Sequence, residues 1–263
     1  MILERIVCGV DGSETGYEAL RQARTLIPAG GRLVAVIVVE EHLAVHAGMQ
    51  APKALDDLRA EAEATRRAAE DSVAGLEQAD VVVVAGHPNA VLISIAAREQ
   101  ANLIAVGTHS RSRRAGILLG SVTTTMLHEA PCGVLVSRPP GEAEFPSSIA
   151  AGVDGSSESA EAAKVAIALA SRFGASLRLL AATGGKGGAD PDSAKAISDA
   201  VDLDPRDAMN MLEDASGHAD LLVLGSRGLH GVRALGSVSE RMAHRARCSV
   251  LVIRRTREHV TAT

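Results

Sequence analysis

Two tandem α/β domains, each a doubly wound five-stranded parallel sheet of strand order 3-2-1-4-5, are what this sequence predicts, on three observations. Short β-branched runs alternate with Ala-rich stretches of helical spacing, the same order of runs begins again past residue 146, and Gly-Ser turn motifs recur at matching places in both halves. At 263 residues the chain is long enough for one large or two ordinary domains. A hydrophobic content of 46%, with two Phe, one Tyr and no Trp, suits β-branched strands packed under small helical residues.

Ile6 to Val10 reads as the first strand, and Asp11-Gly12-Ser13 as a turn and N-cap with Glu14 just inside the next helix. Gly16, Ala19, Leu20, Ala23, Leu26 and Ile27 recur at intervals of three and four, one buried helical face that Gly30-Gly31 stops. Leu33 to Val39 is near-continuous and β-branched, as a strand covered on both faces requires. The charged, Ala-rich stretch from about Pro52 to Gln78 reads as a helix with a solvated face. Val81 to Ala85 is the third strand, ending in Gly86-His87-Pro88-Asn89, and Ala90 to Glu99 the helix after it. Leu103 to Gly107 is the fourth strand; a glycine loop, a helix from Ser121 to about His128, and a fifth strand from Cys132 to Ser137 follow. Pro139-Pro140-Gly141 through Pro146 is a linker by composition, so the first domain spans 1–140.

Past the linker the pattern restarts, giving a second domain over 147–257. Gly152-Val153-Asp154-Gly155-Ser156 repeats Gly9-Val10-Asp11-Gly12-Ser13, and Leu221 to Gly225 mirrors Leu103 to Gly107. Gly236-Ser237-Val238-Ser239 matches Gly120-Ser121-Val122-Thr123, and Cys248 with Val250-Leu251-Val252 matches Cys132 with Val134-Leu135-Val136. The second copy is abbreviated: a glycine loop at Gly184 to Gly188, read as flexible, and the stretch Ser193 to Ala200 replace the long helix, and Val201 to Asp204 is a weak third strand.

Composition also excludes. A net charge of −5 with almost no aromatics argues against nucleic acid. No apolar run reaches the ~20 residues that span a bilayer, and Glu4 and Arg5 stand where a signal peptide is apolar, so a cytoplasmic location is expected. Three cysteines, all in strand-like settings, read as free buried thiols. Gly185-Lys186 lacks the earlier glycine and the following Ser or Thr of a phosphate-binding P-loop. The nine histidines are scattered, no C-x-x-C occurs, and neither a metal ligand nor a catalytic residue is assigned.

With strand order 3-2-1-4-5 the connections diverge between strands 1 and 4, and ligands bind outside the carboxyl ends of the strands at such a point. Those ends are Val10-Asp11-Gly12 and Val106-Gly107. The stretch from Gly107 to Thr123 runs from a strand end into a helix start, where unpaired amides and a partial positive charge suit a phosphate.

The V-D-G-S strand end, the strand-4 glycine loop, the following G-S-V-[ST] and the last P-C-x-V-L-V strand together resemble the universal stress protein family in its tandem, Rossmann-like two-domain form. The resemblance implies ATP as ligand, with or without Mg2+. Its ATP-binding members carry G-x2-G-x9-G-[ST], which implies that Asp11 meets the adenine edge and Val38 its face, while Gly107, His109, Gly120, Ser121, Val122 and Thr123 line ribose and phosphates. Ser110 stands where the pattern has its second glycine, although serine disfavours positive φ. In the second copy Gly225 and Gly228 keep both leading glycines, yet the loop to Gly236 is two residues shorter; Asp154, Arg227, Ser237, Val238 and Ser239 complete its candidate set.

Three functions follow from this reading. One is a nucleotide-dependent stress-response regulator. Another is a scaffold whose copies pair through their fifth strands within the chain or in a homodimer. The third is a weak ATPase, for which His109 is the histidine nearest the expected phosphates.

Overall fold

The computed structural model describes residues 3–45, 51–108, 119–140, 144–185, 187–226 and 238–254. The chain divides into two compact units, Met1–Pro131 and Cys132–Thr263. It is an α/β fold with mostly parallel pairing.

In the first unit the order is β1 (Arg5–Gly9), α1 (Glu14–Leu26), β2 (Arg32–Val39), α2 (Glu41–Val45), α3 (Ala51–Val73), β3 (Ala79–Ala85), α4 (Pro88–Arg98), β4 (Leu103–Gly107) and α5 (Ser121–Glu129). The strands lie β3-β2-β1-β4, all parallel. Helices α1 and α3 pack together against β1 to β4 on one face, while α4 and α5 pack together against β1 and β4. Covered on both sides, Ile6, Leu33, Leu103 and Ile104 are fully buried, which is why these strands read as continuous rather than alternating apolar runs. The long helix ends at Val73, five residues before the expected stop, because Gly75 turns the chain at φ +87°.

The second unit contains β5 (Gly133–Ser137), β6 (Ser148–Gly152), α6 (Ser157–Phe173), β7 (Ser176–Ala182), α7 (Pro191–Lys195), β8 (Val201–Asp204), α8 (Ala208–Ala215), β9 (Leu221–Gly225), α9 (Val238–Arg245) and β10 (Ser249–Ile253). Strands β8-β7-β6-β9-β10 are parallel neighbours. Next to β10 lies β5, antiparallel, with Val136, Leu135 and Val134 opposite Val250, Leu251 and Val252. This antiparallel pair joins the two fifth strands and leaves the expected parallel pairing of the other strands standing. Two apolar fifth strands leave unpaired backbone edges, and pairing them antiparallel satisfies both ladders. Arg138 fastens this junction: its guanidinium donates to the carbonyls of Ala243 at 2.5 Å and Cys248 at 3.2 Å, and burial lowers its pKa.

The glycine loop of the second unit makes backbone hydrogen bonds at Gly184 and Gly188. Gly184 donates to the Arg206 carbonyl at 3.3 Å, Gly188 to Gly185 at 3.4 Å, and a Cβ on Gly184 would lie 2.0 Å from the Pro205 carbonyl. Lys186 lies outside the described residues. The expected stretch Ser193 to Ala200 contributes only α7, capped by the Asp190 carboxylate on the Ser193 amide at 2.9 Å.

Both units tie the start of the first strand to the start of the fourth, with different chemistry. In the first, the Asn102 side-chain oxygen accepts the Arg5 amide at 3.0 Å; in the second, the Asp220 carboxylate accepts the Ser147 and Ser148 amides at 2.8 and 3.0 Å. Partial burial works to raise the Asp220 pKa, but hydrogen bonds from Ser147 and Ser148 hold it below the ordinary aspartate value. A carboxyl with a depressed folded-state pKa contributes stability that is present above its unfolded value and lost as pH falls through the folded one. Acid melts should therefore show the second unit weakening below about pH 4. Asp220→Asn should flatten that acid limb, whereas Asn102→Asp should steepen that of the first unit.

Candidate functional site

In the first unit the connections diverge at the carboxyl end of β1, which β2 flanks on one side and β4 on the other. Extending the register Gly9↔Val36 brings Asp11 level with Val38, and extending Cys8↔Ala105 brings Val10 level with Gly107. Val10 is buried and donates its amide to the Val36 carbonyl at 2.9 Å. Asp11, the next residue, is exposed. Its Oδ1 accepts both the Ser13 amide at 3.0 Å and the Ser13 hydroxyl at 2.5 Å, and Ser13 Oγ in turn accepts the Gly16 amide at 3.0 Å to cap α1. Both bonds to Asp11 use Oδ1.

Across the crevice, Gly107 ends β4. A Cβ at this position would lie 2.6 Å from Thr15 Oγ1 and 2.7 Å from its carbonyl carbon, so the first turn of α1 occupies the space a side chain would need. Gly107 thus lets β4 approach α1 closely. The Gly107 carbonyl accepts the hydroxyl of buried Thr123 at 2.6 Å, and the Gly120 amide donates to the Thr108 carbonyl at 2.8 Å, closing the base of the loop. His109 and Ser110 lie outside the described residues.

Helix α5 starts without a side-chain cap, because its N-cap is Gly120. By contrast α1, α6, α7 and α8 are capped by Ser13, Ser156, Asp190 and Asp207. The Ser121, Val122 and Thr123 amides have no acceptor among the described residues. Ser121, the first helical residue rather than the cap, is exposed. Three orphan N–H groups and the positive end of the helix dipole thus sit beside a strand end that carries a carboxylate. Burial and the nearby Asp11 charge push the Cys8 thiol far above its ordinary value; in the second unit burial pushes Cys248 to about 12. These thiols are free, buried and unreactive at neutral pH.

The second crevice repeats the carboxylate half. Asp154 Oδ1 accepts the Ser156 amide and hydroxyl at 3.0 and 2.5 Å, and Ser156 Oγ caps Ser159. Gly225 meets the carbonyl carbon and oxygen of Glu158, each 2.5 Å from where a Cβ would be, as Gly107 meets Thr15. Val238 and buried Ser239 open α9, while Arg227, Gly228, Gly236 and Ser237 lie outside the described residues.

The fold also brings together residues that sequence spacing keeps apart. Thr15, through its hydroxyl and backbone, and Thr108, through its carbonyl, shape the β4 end and carry no motif. Glu40, His42 and His87 converge although the histidines are scattered in sequence; the signal available was their shared position just past adjacent strand ends.

The sequence model for the universal stress protein family matches residues 3–138 and 188–254. No curated protein matches the sequence. Among solved structures, a universal stress protein from Archaeoglobus fulgidus DSM 4304 is similar over 95% of this chain and 96% of its own, with a TM-score of 0.71 and 19% identity. A protein of unknown function from Pseudomonas aeruginosa PAO1 is similar over 95% of this chain and 92% of its own, with a TM-score of 0.65 and 14% identity. At these identities the two structures show the fold.

Proposed function

This chain belongs to the universal stress protein family, and from that premise we propose that it is a stress-response protein whose first domain, 1–140, binds an adenine nucleotide and acts as a nucleotide-dependent regulator. The observation that carries the reading is the uncapped start of α5, with orphan amides at Ser121, Val122 and Thr123, one strand away from the Asp11 carboxylate.

ATP, with or without Mg2+, is the nucleotide. Asp11 Oδ2 accepts the adenine amino group, Val38 and Val10 line the base, and the α5 amides with the Ser121 hydroxyl hold ribose and phosphate oxygens. Val106 and Gly107 form the floor, and His109 and Ser110, outside the described residues, complete the proposed set. In the second domain, 147–257, the set is Asp154, Gly225, Arg227, Gly228, Gly236, Ser237, Val238 and Ser239, with a shorter loop and weaker binding. Reduced free thiols agree with a cytoplasmic setting. Among the described residues no helix is long and apolar enough to cross a membrane.

A thermal-shift series tests the proposal. At a ligand concentration a hundredfold above Kd, ATP should stabilise the protein by about 2.7 kcal/mol. GTP should give less, because its base presents a carbonyl where adenine presents an amino group, and AMP should give less for want of phosphates. Equal shifts with ATP and GTP would remove the role given to Asp11.

A second reading is favoured by the β5–β10 ladder. It supports a scaffold in which the two repeats pair within one chain through their fifth strands, leaving the sheet edges at β3 and β8 for contacts with another copy. Concentration-independent monomeric mass in sedimentation would confine that role to the single chain.

A further inference from the structure

We infer that Glu40, His42 and His87 form a site for a divalent transition-metal ion of the zinc type at the carboxyl edge of β2 and β3. The inference does not rest on nucleotide binding. It begins with strand register: Val39 lies opposite Ala85, and the Gly86 amide donates to the Val39 carbonyl at 3.1 Å, so the residues that follow the two strands leave the sheet side by side.

Local geometry then directs three side chains to one place. Gly86 turns at φ +150°, where a Cβ would lie 2.9 Å from Val91 Cγ2, and delivers His87 to the N-cap position of α4. His87 makes no side-chain cap bond there, so its ring nitrogens are not engaged by the helix. On the other strand, Glu41 is held by Arg59 at 2.8 Å, while the Glu40 carboxylate lies 3.8 Å from His42 Nε2. The His42 and His87 rings approach to 4.2 Å between centroids. One ligand atom from each residue lies within 4.8 Å of the others, the single such group among the described residues.

Two imidazole nitrogens and one carboxylate oxygen are a ligand set for zinc and its neighbours rather than for Mg2+ or Ca2+, which prefer all-oxygen shells. Zinc bonds of about 2.0–2.2 Å require ligand atoms roughly 3.4 Å apart, a small closure for side chains that are half-exposed or exposed. Three protein ligands leave a coordination position open to water or an exogenous donor. Among the described residues the second repeat has no counterpart. Thr183 and Arg206 occupy the corresponding places past β7 and β8; Thr183 donates to the Asp204 carbonyl at 3.1 Å and Arg206 is paired with Asp204 at 2.7 Å.

Zn2+ alone, titrated into the metal-free full chain in competition with a chromogenic chelator, tests the site. One ion per chain should bind. His42→Gln and His87→Gln should each weaken that binding by at least about tenfold. His218→Gln, which removes an exposed histidine elsewhere, should leave it unchanged, and excess Mg2+ should not compete. Circular dichroism melts establish that each variant folds. Cobalt(II) added to the unmodified protein provides a readout independent of any variant, with intense visible bands expected from a low-coordinate site. Equal zinc affinity in all variants, or only the weak spectrum of hexaaqua cobalt, would overturn the assignment and leave a His–Glu contact with stacked rings.

Discussion

Gly107→Ala should cost about 3 kcal/mol of stability, at the upper end of what overpacking one methyl group does, and Gly225→Ala should cost a similar amount. The reason lies in what the new Cβ meets. At Gly107 it would stand 2.7 and 2.8 Å from the carbonyl carbon and oxygen of Thr15, and at Gly225 it would stand 2.5 Å from those of Glu158. These are backbone atoms in the first turns of α1 and α6, and relieving the contact moves a helix rather than a side-chain tip. Gly30 supplies the comparison. It has φ +74° and nothing within 4 Å of an added Cβ, so Gly30→Ala carries only the left-handed backbone penalty, about 1 kcal/mol. Urea denaturation of the three variants measures the ordering. A Gly107→Ala cost no larger than that of Gly30→Ala would show that the α1 to β4 approach relaxes freely.

Leu135→Ala should destabilise the chain by about 3–4 kcal/mol, within the range for large-to-small changes in a fully enclosed position. Leu135 is 0% exposed on β5 and stands opposite Leu251, also 0% exposed, on β10. Were β5 an outer strand with one face in water, truncation would leave little cavity. Val83→Ala provides the reference: this β3 side chain is 41% exposed, and its loss should cost well under 1 kcal/mol. A Leu135→Ala loss close to that of Val83→Ala would contradict the burial of the fifth strands against each other.

These two predictions draw on different levels of legibility. The strands around β1 were legible from periodicity, because helices on both faces force continuous apolar runs such as Leu33 to Val39. The third strand starts at Ala79, two residues earlier than its apolar run, since Asp80 on the exposed edge is held by Arg32 at 2.7 Å and needs no apolar face. Periodicity proposed a contact between the fifth strands but not its antiparallel sense, which depends on how two repeats meet rather than on either alone.

At the site, Asp11 and Gly120 were legible because turn chemistry fixes them: an aspartate two residues before a capping serine, and a glycine at a helix start. Gly107 was legible as the end of a strand, but its packing against Thr15 in α1 was not, since the absence of a side chain does not name the neighbour. Glu40, His42 and His87 were illegible because only strand register joins them.

The central claim is that the first-domain crevice recognises adenine through Asp11. Asp11→Asn tests it most directly, since asparagine keeps an Oδ1 acceptor for the Ser13 amide and hydroxyl while replacing the second oxygen by a donor. Calorimetric titration of ATP into the two full-length proteins should show saturable binding to the parent, weakened by about tenfold or more in the variant, the cost of one mispaired polar contact in the complex. The melting temperatures without nucleotide should coincide. Equal ATP affinity in both proteins, or no heat of binding in the parent at millimolar ATP, would contradict the account.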